Sequence, residues 1–393
     1  MLRSLFSGIS GLRTHQTMMD VTGNNIANVN TTGYKTSQAT FQDTLSQMLQ
    51  PAGAPAGGLG GSNPAQVGLG VRLSGITTNY GQGAAQMTGR STDLMIQGDG
   101  FFAVDNGAET LFTRNGSFSF DAGGTLVTNG GLKVMGWQAD AAGAINPNGA
   151  AGEVTLPMGA LLAPTVTNNA VFSGNLPGNQ PVASALTTSM TVYDAAGTAS
   201  TLSVTFTKTA ATTWDVSYNG GATVHGTLTF DAAGALVGGS PVIDPATGIS
   251  SDLDGITAYS GNATVNPQSQ DGSAMGSLQS FTISKDGIIN GVFSNGLKQP
   301  LGQIALVNFN NPTGLEKAGD SMYRNTVNSG PIQWGTPGTG GKGVLSSGSL
   351  EMSNVDLAQE FTNLVIAQRG FQANSRVITT SDSLLEDLVN LKR

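Results

Sequence analysis

Both ends of this chain carry mainly apolar residues at alternating steps of three and four positions, and the middle does not. Near the N-terminus the pattern comprises Leu2, Leu5, Ile9, Leu12, Gln16 and Met19. Near the C-terminus it comprises Leu357, Phe361, Leu364, Gln368, Phe371, Ser375, Ile378, Asp382, Leu385 and Val389. A mean step of about 3.5 residues places such side chains in one narrow stripe along an α-helix. The spacing predicts two terminal helices that pack on helical partners.

Charged residues are scarce along the chain. Asp, Glu, Lys and Arg make up 11% of its 393 residues, against roughly 25% in a typical soluble protein. We interpret this composition as that of a subunit whose surface is largely covered by its neighbours. The net charge of -8 and the thin spread of 17 Lys and Arg residues argue against a nucleic-acid partner, because phosphate binding needs clustered basic side chains.

The sequence has neither a membrane-spanning pattern nor a cleavable signal pattern. No apolar run reaches the roughly 18 residues of a membrane-spanning helix, so we predict no membrane insertion. The first residues read MLRSLFSGISGLRTHQ, without the continuous apolar region and small-residue cleavage site of a signal peptide. If the protein leaves the cell, we expect it to keep its N-terminus.

The interior of the sequence is rich in strand and turn patterns. Runs such as VRLSGITTNY and MTVYDAAGTASTLSVTFTKT alternate apolar and polar residues, as half-buried strands do. Four related turns place Asp first and Gly fourth, and they begin at Asp121, Asp140, Asp194 and Asp231. We predict hairpins at these turns, because glycine adopts a positive φ without strain. A calcium site is the alternative, but it needs about six oxygen ligands and each turn supplies one carboxylate.

The predicted fold is mainly β with long terminal α-helices, in a nested multidomain arrangement. The terminal helices, expected to form a coiled coil, occupy 1–35 and 357–393. Residues 36–70 are predicted to be an extended connector, within which 38–50 allows a short helix. A β-rich body is predicted at 71–146 and 275–356, with an outer β domain inserted at 147–274.

The two terminal helices are predicted to differ in stability. Gly8, Gly11 and Gly23 each cost the N-terminal helix about 1 kcal/mol relative to Ala. We therefore expect it to be frayed in the single chain and ordered against a partner; the alternative is a helix packed on its own domain. The C-terminal helix has a Ser-x-x-Asp cap, Ser353 and Asp356, directly before Leu357. At about 50 Å it is expected to project from the body.

No catalytic, cofactor or metal constellation is found in the sequence, which predicts that the protein is not an enzyme. Its two histidines, His15 and His225, have no ligand partner at metal-binding spacing. The segment from Gly338 to Gly343 matches G-x-G-x-x-G by letter, but lacks the flanking strand and helix of a dinucleotide site. The absence of cysteine excludes disulfides and thiolate ligands.

An Asn-rich segment after the N-terminal stripe is the most specific motif. The run SGISGLRTHQTMMDVTGNNIANVNTTGYK, Ser7 to Lys35, resembles the N-terminal signature of the bacterial flagellar rod, hook and hook-associated proteins. Segments from Gly98 to Trp137 and from Ser347 to Asp382 extend the resemblance, so that it covers roughly a quarter of the chain. The signature residues singled out are Asn24, Asn25, Ile26, Ala27, Asn28, Gly33, Tyr34 and Lys35.

The resemblance implies a structural subunit of the flagellar hook. In that family the terminal helices form a coiled coil around the export channel, and the β domains stack outward. The polymer is a curved, flexible universal joint that carries torque from the rod to the filament. The implied partners are further copies of the chain, the distal rod, hook cap and hook–filament junction proteins, and the flagellar type III export apparatus.

Location and alternatives follow from the same resemblance. It implies an extracellular position in the flagellar hook, reached without a cleaved signal peptide. A distal rod protein is shorter and lacks a large central insertion, and a junction protein is usually longer, so the hook is favoured over both. A secreted β-rich adhesin or binding module is the remaining alternative, although such a protein has no need of helical stripes at both ends.

Overall fold

The computed structural model describes residues 2–55, 60–140, 142–156, 159 and 161–390, without the side chains of Leu2, Leu388 and Val389. The chain divides into two compact units. Unit 1 comprises Met1–Leu156, Thr282–Asn290 and Pro300–Arg393, and unit 2 comprises Pro157–Phe281 and Gly291–Gln299. The domain boundaries drawn from the sequence stay predictions.

Two long helices belong to unit 1: α1, Leu2–Ala27, and α2, Leu357–Asn390. α2 begins at Leu357, directly after the predicted cap, but the capping interaction differs from the prediction. Asp356 itself is the capping residue, because its Oδ1 accepts from the backbone N–H groups of Ala358, at 2.9 Å, and Gln359, at 3.3 Å. Ser353 accepts from Val355 instead, so no reciprocal capping box forms. A 3-10 turn, Pro312–Gly314, lies between strands.

The first twelve strands all lie in unit 1. They are β1 Ser37–Asp43, β2 Ser46–Gln50, β3 Ala65–Gly68, β4 Val71–Thr78, β5 Ala85–Met87, β6 Leu94–Gln97, β7 Phe101–Asp105, β8 Thr110–Thr113, β9 Phe118–Phe120, β10 Leu126–Thr128, β11 Lys133–Gln138 and β12 Gly152–Glu153.

Ten strands follow in unit 2, three have residues in both units, and six return to unit 1. The unit 2 strands are β13 Leu161–Leu162, β14 Asn169–Asn175, β15 Ala185–Tyr193, β16 Ala199–Lys208, β17 Thr213–Tyr218, β18 Gly226–Phe230, β19 Leu236–Gly238, β20 Val242–Ile243, β21 Ser250–Thr257 and β22 Asn266–Gln270. The others are β23 Gly276–Ile283, β24 Ile288–Phe293, β25 Lys298–Ile304, β26 Leu306–Asn308, β27 Glu316–Gly319, β28 Met322–Arg324, β29 Gln333–Gly335, β30 Val344–Ser347 and β31 Ser349–Glu351.

Residues 37–43 and 46–50 form strands, so the helix allowed at 38–50 is wrong. β1 pairs antiparallel with β4, and β2 pairs with β3. The buried amide of Asn25 decides where β1 begins, since its nitrogen donates to the Ser37 carbonyl and its oxygen accepts from the Ser37 N–H, at 2.8 and 3.0 Å. This tertiary contact holds the backbone extended at the point where the local sequence was compatible with either a short helix or an extended connector.

The body of unit 1 is an antiparallel sheet in which β25, β11, β7, β8, β28 and β27 are successive neighbours. Its aromatic core includes Phe101, Phe112, Phe309 and Tyr323. Their rings meet edge to face, at centroid distances between 4.9 Å for Phe112–Phe309 and 5.9 Å for Phe101–Phe309, a favoured geometry for aromatic pairs.

Unit 2 is built from two sheets around one core. One sheet has the order β20-β21-β14-β22, with β14 and β21 parallel, and the other is the antiparallel meander β15 to β19. Phe172 of the first sheet and Phe206 and Trp214 of the second belong to the same buried cluster. Burial alternates along β16 and β17, as the predicted strand pattern requires.

The four predicted Asp-x-x-Gly turns are confirmed in the described residues. In each, the Asp Oδ1 accepts from the N–H groups two and four positions later, at distances from 2.7 to 3.0 Å. The fourth residue has a φ between +79° and +86°, which favours glycine. One local mechanism therefore shapes turns in both units.

Candidate assembly site

The terminal helices pack antiparallel on each other through small residues. Ser4 lies opposite Ser381, with their hydroxyls 3.4 Å apart. A Cβ added at Gly8 would lie 3.3 Å from Ile378, and one added at Gly11 would lie 2.7 Å from the Asn374 amide. The glycines counted as defects from the sequence thus permit close approach of the two helices.

Gly370 extends this small-residue contact from the α2 side. A Cβ built there would lie 2.5 Å from the ring of His15. α1 also packs on β1 and β4 of its own chain. The structure differs here from the expectation of a frayed helix, because the same chain already supplies the packing partners.

The predicted α1 stripe is only half-buried in the chain. Leu5, Ile9, Leu12 and Met19 have intermediate burial. The fully buried positions of α1 include Thr14, Thr22 and Asn25, at 6%, 3% and 1% exposure. Sequence reasoning missed these polar residues because it followed apolar spacing, although Gly8, Gly11 and Thr14 recur at steps of three and Thr22 follows eight positions later. Leu2 lies outside the described side chains.

The predicted α2 stripe is divided between two faces. Leu364, Ile378 and Leu385 are half-buried. The positions most fully covered on α2 are Ala367, at 0%, and Ser381, at 6%, which are not in the apolar stripe. Val389 lies outside the described side chains. The face that α1 covers is therefore rotated away from the one that the hydrophobic spacing predicted.

A row of large apolar side chains remains exposed on α2. The exposed α2 row consists of Leu357 at 40%, Phe361 at 52%, Val365 at 54% and Phe371 at 36% exposure. Three of its members belong to the predicted assembly stripe. The row therefore leaves apolar surface on α2 that no residue of the described chain covers completely.

The signature segment ends α1 and turns the chain into β1. Gly33 has a φ of +68°, and a Cβ there would lie 2.6 Å from the backbone nitrogen of Asn115, so only glycine fits. The Tyr34 hydroxyl donates to the side-chain oxygens of Asn24, at 3.3 Å, and Asn25, at 3.1 Å. Asn28 closes the helix with a backbone N–H that reaches the Asn24 carbonyl at 3.1 Å.

The last signature residue, Lys35, is fully buried in an ion-pair cluster. Its Nζ lies 2.6 Å from Oε1 of Glu351, whose Oε2 lies 3.5 Å from Nη1 of Arg114. Lys35 also donates to the Gly81 carbonyl at 2.7 Å, and Arg114 to the Gly98 carbonyl at 2.9 Å. Burial lowers the pKa of Lys35, and the hydrogen bond to Glu351 opposes that shift. Burial likewise lowers the pKa of Arg114.

Asn354 adds a second connection beside this cluster. Its Oδ1 accepts from the Thr36 N–H at 2.8 Å, and its Nδ2 donates to the Asn79 carbonyl at 2.9 Å. Thr36 follows the signature and Asn354 precedes α2. The chain leaving α1 and the chain entering α2 are thereby held together, which places both helices on unit 1. The sequence offered no signal for the Lys35–Glu351 pair, whose members are 316 positions apart.

The described side chains do not form a metal-binding cluster. Among them, no group of three or more His, Asp or Glu residues is placed to hold a metal ion. No α-helix in the described ranges combines the length and hydropathy needed to cross a membrane. At Lys35 the ammonium, the Glu351 carboxylate and Nη1 of Arg114 pair with each other and with backbone carbonyls, whereas Nε of Arg114 is buried without a hydrogen-bond partner among the described residues.

Four family models match the chain in order. They are described as flagella basal body rod protein at 5–35, flagellar hook protein FlgE/F/G D1 domain at 95–170, flagellar basal body protein FlaE D2 domain at 175–273, and flagellar basal body rod FlgEFG protein C-terminal at 346–391. The flagellar hook protein FlgE of Treponema pallidum is 38% identical, with all of both chains covered. The chain belongs to the flagellar hook protein family. As a member it is a structural subunit of the bacterial flagellar hook and not an enzyme.

Two further relatives show the range of this family. The flagellar basal-body rod protein FlgG of Bacillus subtilis is 35% identical, again with all of both chains covered. The crystal structure of Helicobacter pylori flagellar hook protein FlgE2 has a TM-score of 0.54 at 15% identity, covering 68% of this chain and all of that one. The D2 domain model matches 175–273, a range that falls within the outer β domain predicted at 147–274.

Proposed function

We propose that this chain polymerises with its own copies into the curved, flexible tube of the hook, through the exposed α2 row and the predicted stripe residues of α1. The observation that carries the proposal is the exposure of Leu357, Phe361, Val365 and Phe371 on a helix that packs on α1 through other positions. Each such side chain contributes roughly 1.5–3 kcal/mol when it is fully buried. Burial against neighbouring subunits therefore favours association.

The remaining parts of the proposal rest on family membership. The tube encloses the export channel, acts as a universal joint and carries torque from the rod to the filament. Its ends contact the distal rod, hook cap and hook–filament junction proteins. The subunit reaches this place through the flagellar type III export apparatus, without cleavage of a signal peptide.

Tube formation by purified protein tests the proposal. We compare the wild-type chain with Phe361→Asp/Phe371→Asp by negative-stain electron microscopy and sedimentation, under salt conditions that favour association. We expect hollow tubes from the wild type and none from the double variant, with the same thermal unfolding midpoint. Val327→Asp is the matched control, because Val327 is fully exposed in unit 1 but lies off the helices. Normal tubes from the double variant would contradict the proposal.

A further inference from the structure

A groove beside α1 combines apolar side chains with two arginines. This α1–β4 groove has a volume of about 400 Å³, and Phe6, Ile9, Arg13, Arg72 and Leu73 form much of its lining. Phe6 is 64% exposed and Leu73 is 37% exposed. The groove therefore offers both apolar area and positive charge to a partner.

Neither arginine of the groove has an acidic partner among the described residues. No ion pair within 4.0 Å includes Arg13 or Arg72. Asp43 is the acidic residue of the paired strand β1 and lies opposite Val71, but it forms no ion pair with Arg72. The contact available to Arg72 is the Gln42 side-chain oxygen, at 2.6 Å from Nη2. Two guanidinium groups thus face solvent without charge compensation.

The C-terminal part of α2 extends past its intramolecular partner. Ser381 lies opposite Ser4, and the described part of α1 reaches two residues beyond Ser4, whereas α2 continues through Asn390. We call residues 382–390 the α2 overhang; it is about 13 Å long at 1.5 Å per residue, and all but its first two residues lie past the described end of α1. Leu384 within it is 51% exposed.

The α2 overhang carries negative charge, which could pair with the positive charge of the groove. Asp382, Glu386 and Asp387 are exposed, and none of them forms an ion pair with the described side chains. Three carboxylates and an exposed leucine are complementary to two guanidinium groups and an apolar floor.

We propose that the α2 overhang of one copy docks into the α1–β4 groove of a second copy. The two surfaces lie at different places on the chain, so the contact is heterologous, and repetition of a heterologous contact that does not close builds a helical polymer. The proposal rests on the self-assembly proposed above and assigns one of its interfaces. The docking contact adds ion pairs between subunits to the apolar contacts of the exposed α2 row.

Charge reversal tests this interface. Arg13→Glu/Arg72→Glu makes the groove acidic, and Glu386→Lys/Asp387→Lys makes the overhang basic. We expect each variant alone to raise the critical concentration for tube formation by about tenfold or more, because like charges then meet. An equimolar mixture has matched contacts in both directions and should form tubes again, as should a chain carrying all four changes.

A cross-link keeps the test independent of tube formation. The chain has no cysteine, so Thr17→Cys in the groove and Ser383→Cys in the overhang, placed on separate chains, report one contact. We expect a mixed disulfide-linked dimer that weakens at 1 M salt, where the Debye length falls to about 3 Å. Val327→Cys replaces Thr17→Cys in the control and should not cross-link.

The outcomes separate this interface from the proposed polymerisation. Wild-type tubes with unchanged assembly of both charge-reversal variants would overturn the docking contact and leave self-assembly standing. Absence of wild-type tubes would count against the proposed function, and the cross-link would then decide the docking contact alone. A failed cross-link, or a disulfide formed within one dilute chain carrying both cysteines, would overturn it.

Discussion

The core of unit 2 and the helix pair of unit 1 are closed to different extents. In unit 2, Phe172 and Phe206 have no exposed surface and Trp214 has 1%, and two sheets enclose them. In the helix pair, small residues such as Gly11 and Ala367 occupy the contact, while Phe361 and Phe371 remain exposed. The difference shows that the core of unit 2 is closed within one chain, whereas the helix pair leaves Phe361 and Phe371 accessible, as the proposed assembly requires.

The largest expected difference in stability is between truncating a phenylalanine in the core of unit 2, Phe206, and truncating one on α2, Phe361. Phe206→Ala should lower the free energy of unfolding of unit 2 by about 3–5 kcal/mol, because it leaves a cavity in a closed core. Phe361→Ala should change single-chain stability by no more than about 1 kcal/mol, because about half of the side chain is already exposed to solvent, yet it should reduce tube formation. Chemical denaturation and sedimentation measure the two effects. A large stability loss from Phe361→Ala would remove the contrast.

A comparable loss of stability is expected when the buried ion-pair cluster of Lys35, Glu351 and Arg114, beside the end of α1 and the start of α2, is broken. Glu351→Ala should destabilise unit 1 by about 3–5 kcal/mol, because Lys35 and Arg114 then remain buried without their counter-charge. Glu153→Ala removes the partner of an exposed pair with Lys133 and should cost at most about 1 kcal/mol. Denaturation curves of the two variants, read against the wild type, check the ranking. If both variants lost equally little stability, the buried cluster would not stabilise unit 1 more than an exposed ion pair does.

The smallest expected changes in stability come from replacing two glycines, Gly23 and Gly33, at the two ends of the Asn-rich signature segment. Gly33→Ala should destabilise unit 1 by about 2–4 kcal/mol, because a Cβ meets the Asn115 backbone at a positive φ. A Cβ at Gly23 in α1 meets nothing within 4 Å, so Gly23→Ala should stabilise the helix by up to about 1 kcal/mol. Thermal unfolding followed by circular dichroism measures both. If Gly33→Ala were neutral, the signature turn would not need its left-handed conformation.

Several elements could be predicted because their causes lie within a few residues. Asp121, Asp194 and Asp231 set their turns through hydrogen bonds to backbone N–H groups two and four positions away. The 3.5-residue spacing predicted both helices, and the alternation of β16 predicted a half-buried strand. The signature between Asn24 and Lys35 identified the family. Its eight residues and the stripe residues, as functional sites, stay predictions.

Other features depended on residues far apart in the chain. The extended conformation of residues 37–43 followed from Asn25 and from the β4 partner, and that of residues 46–50 from the β3 partner, rather than from local preference. The face of α2 that meets α1 was chosen by Gly8 and Gly11, which allow close approach, and not by the leucines of the apolar stripe. Apolar spacing reports that a helix has a face to bury, but it does not distinguish a partner in the same chain from one in a neighbour.

The sequence alone determined the type of each terminal element, the Asp-x-x-Gly turns and the family, because hydrogen bonding and periodicity within a few residues leave a direct pattern. Only the tertiary structure decided that Lys35 meets Glu351 and Arg114, and that Phe361 faces away from α1. Those outcomes depend on which distant surfaces fit without clash or unpaired charge, and such a fit has no short-range pattern in the sequence.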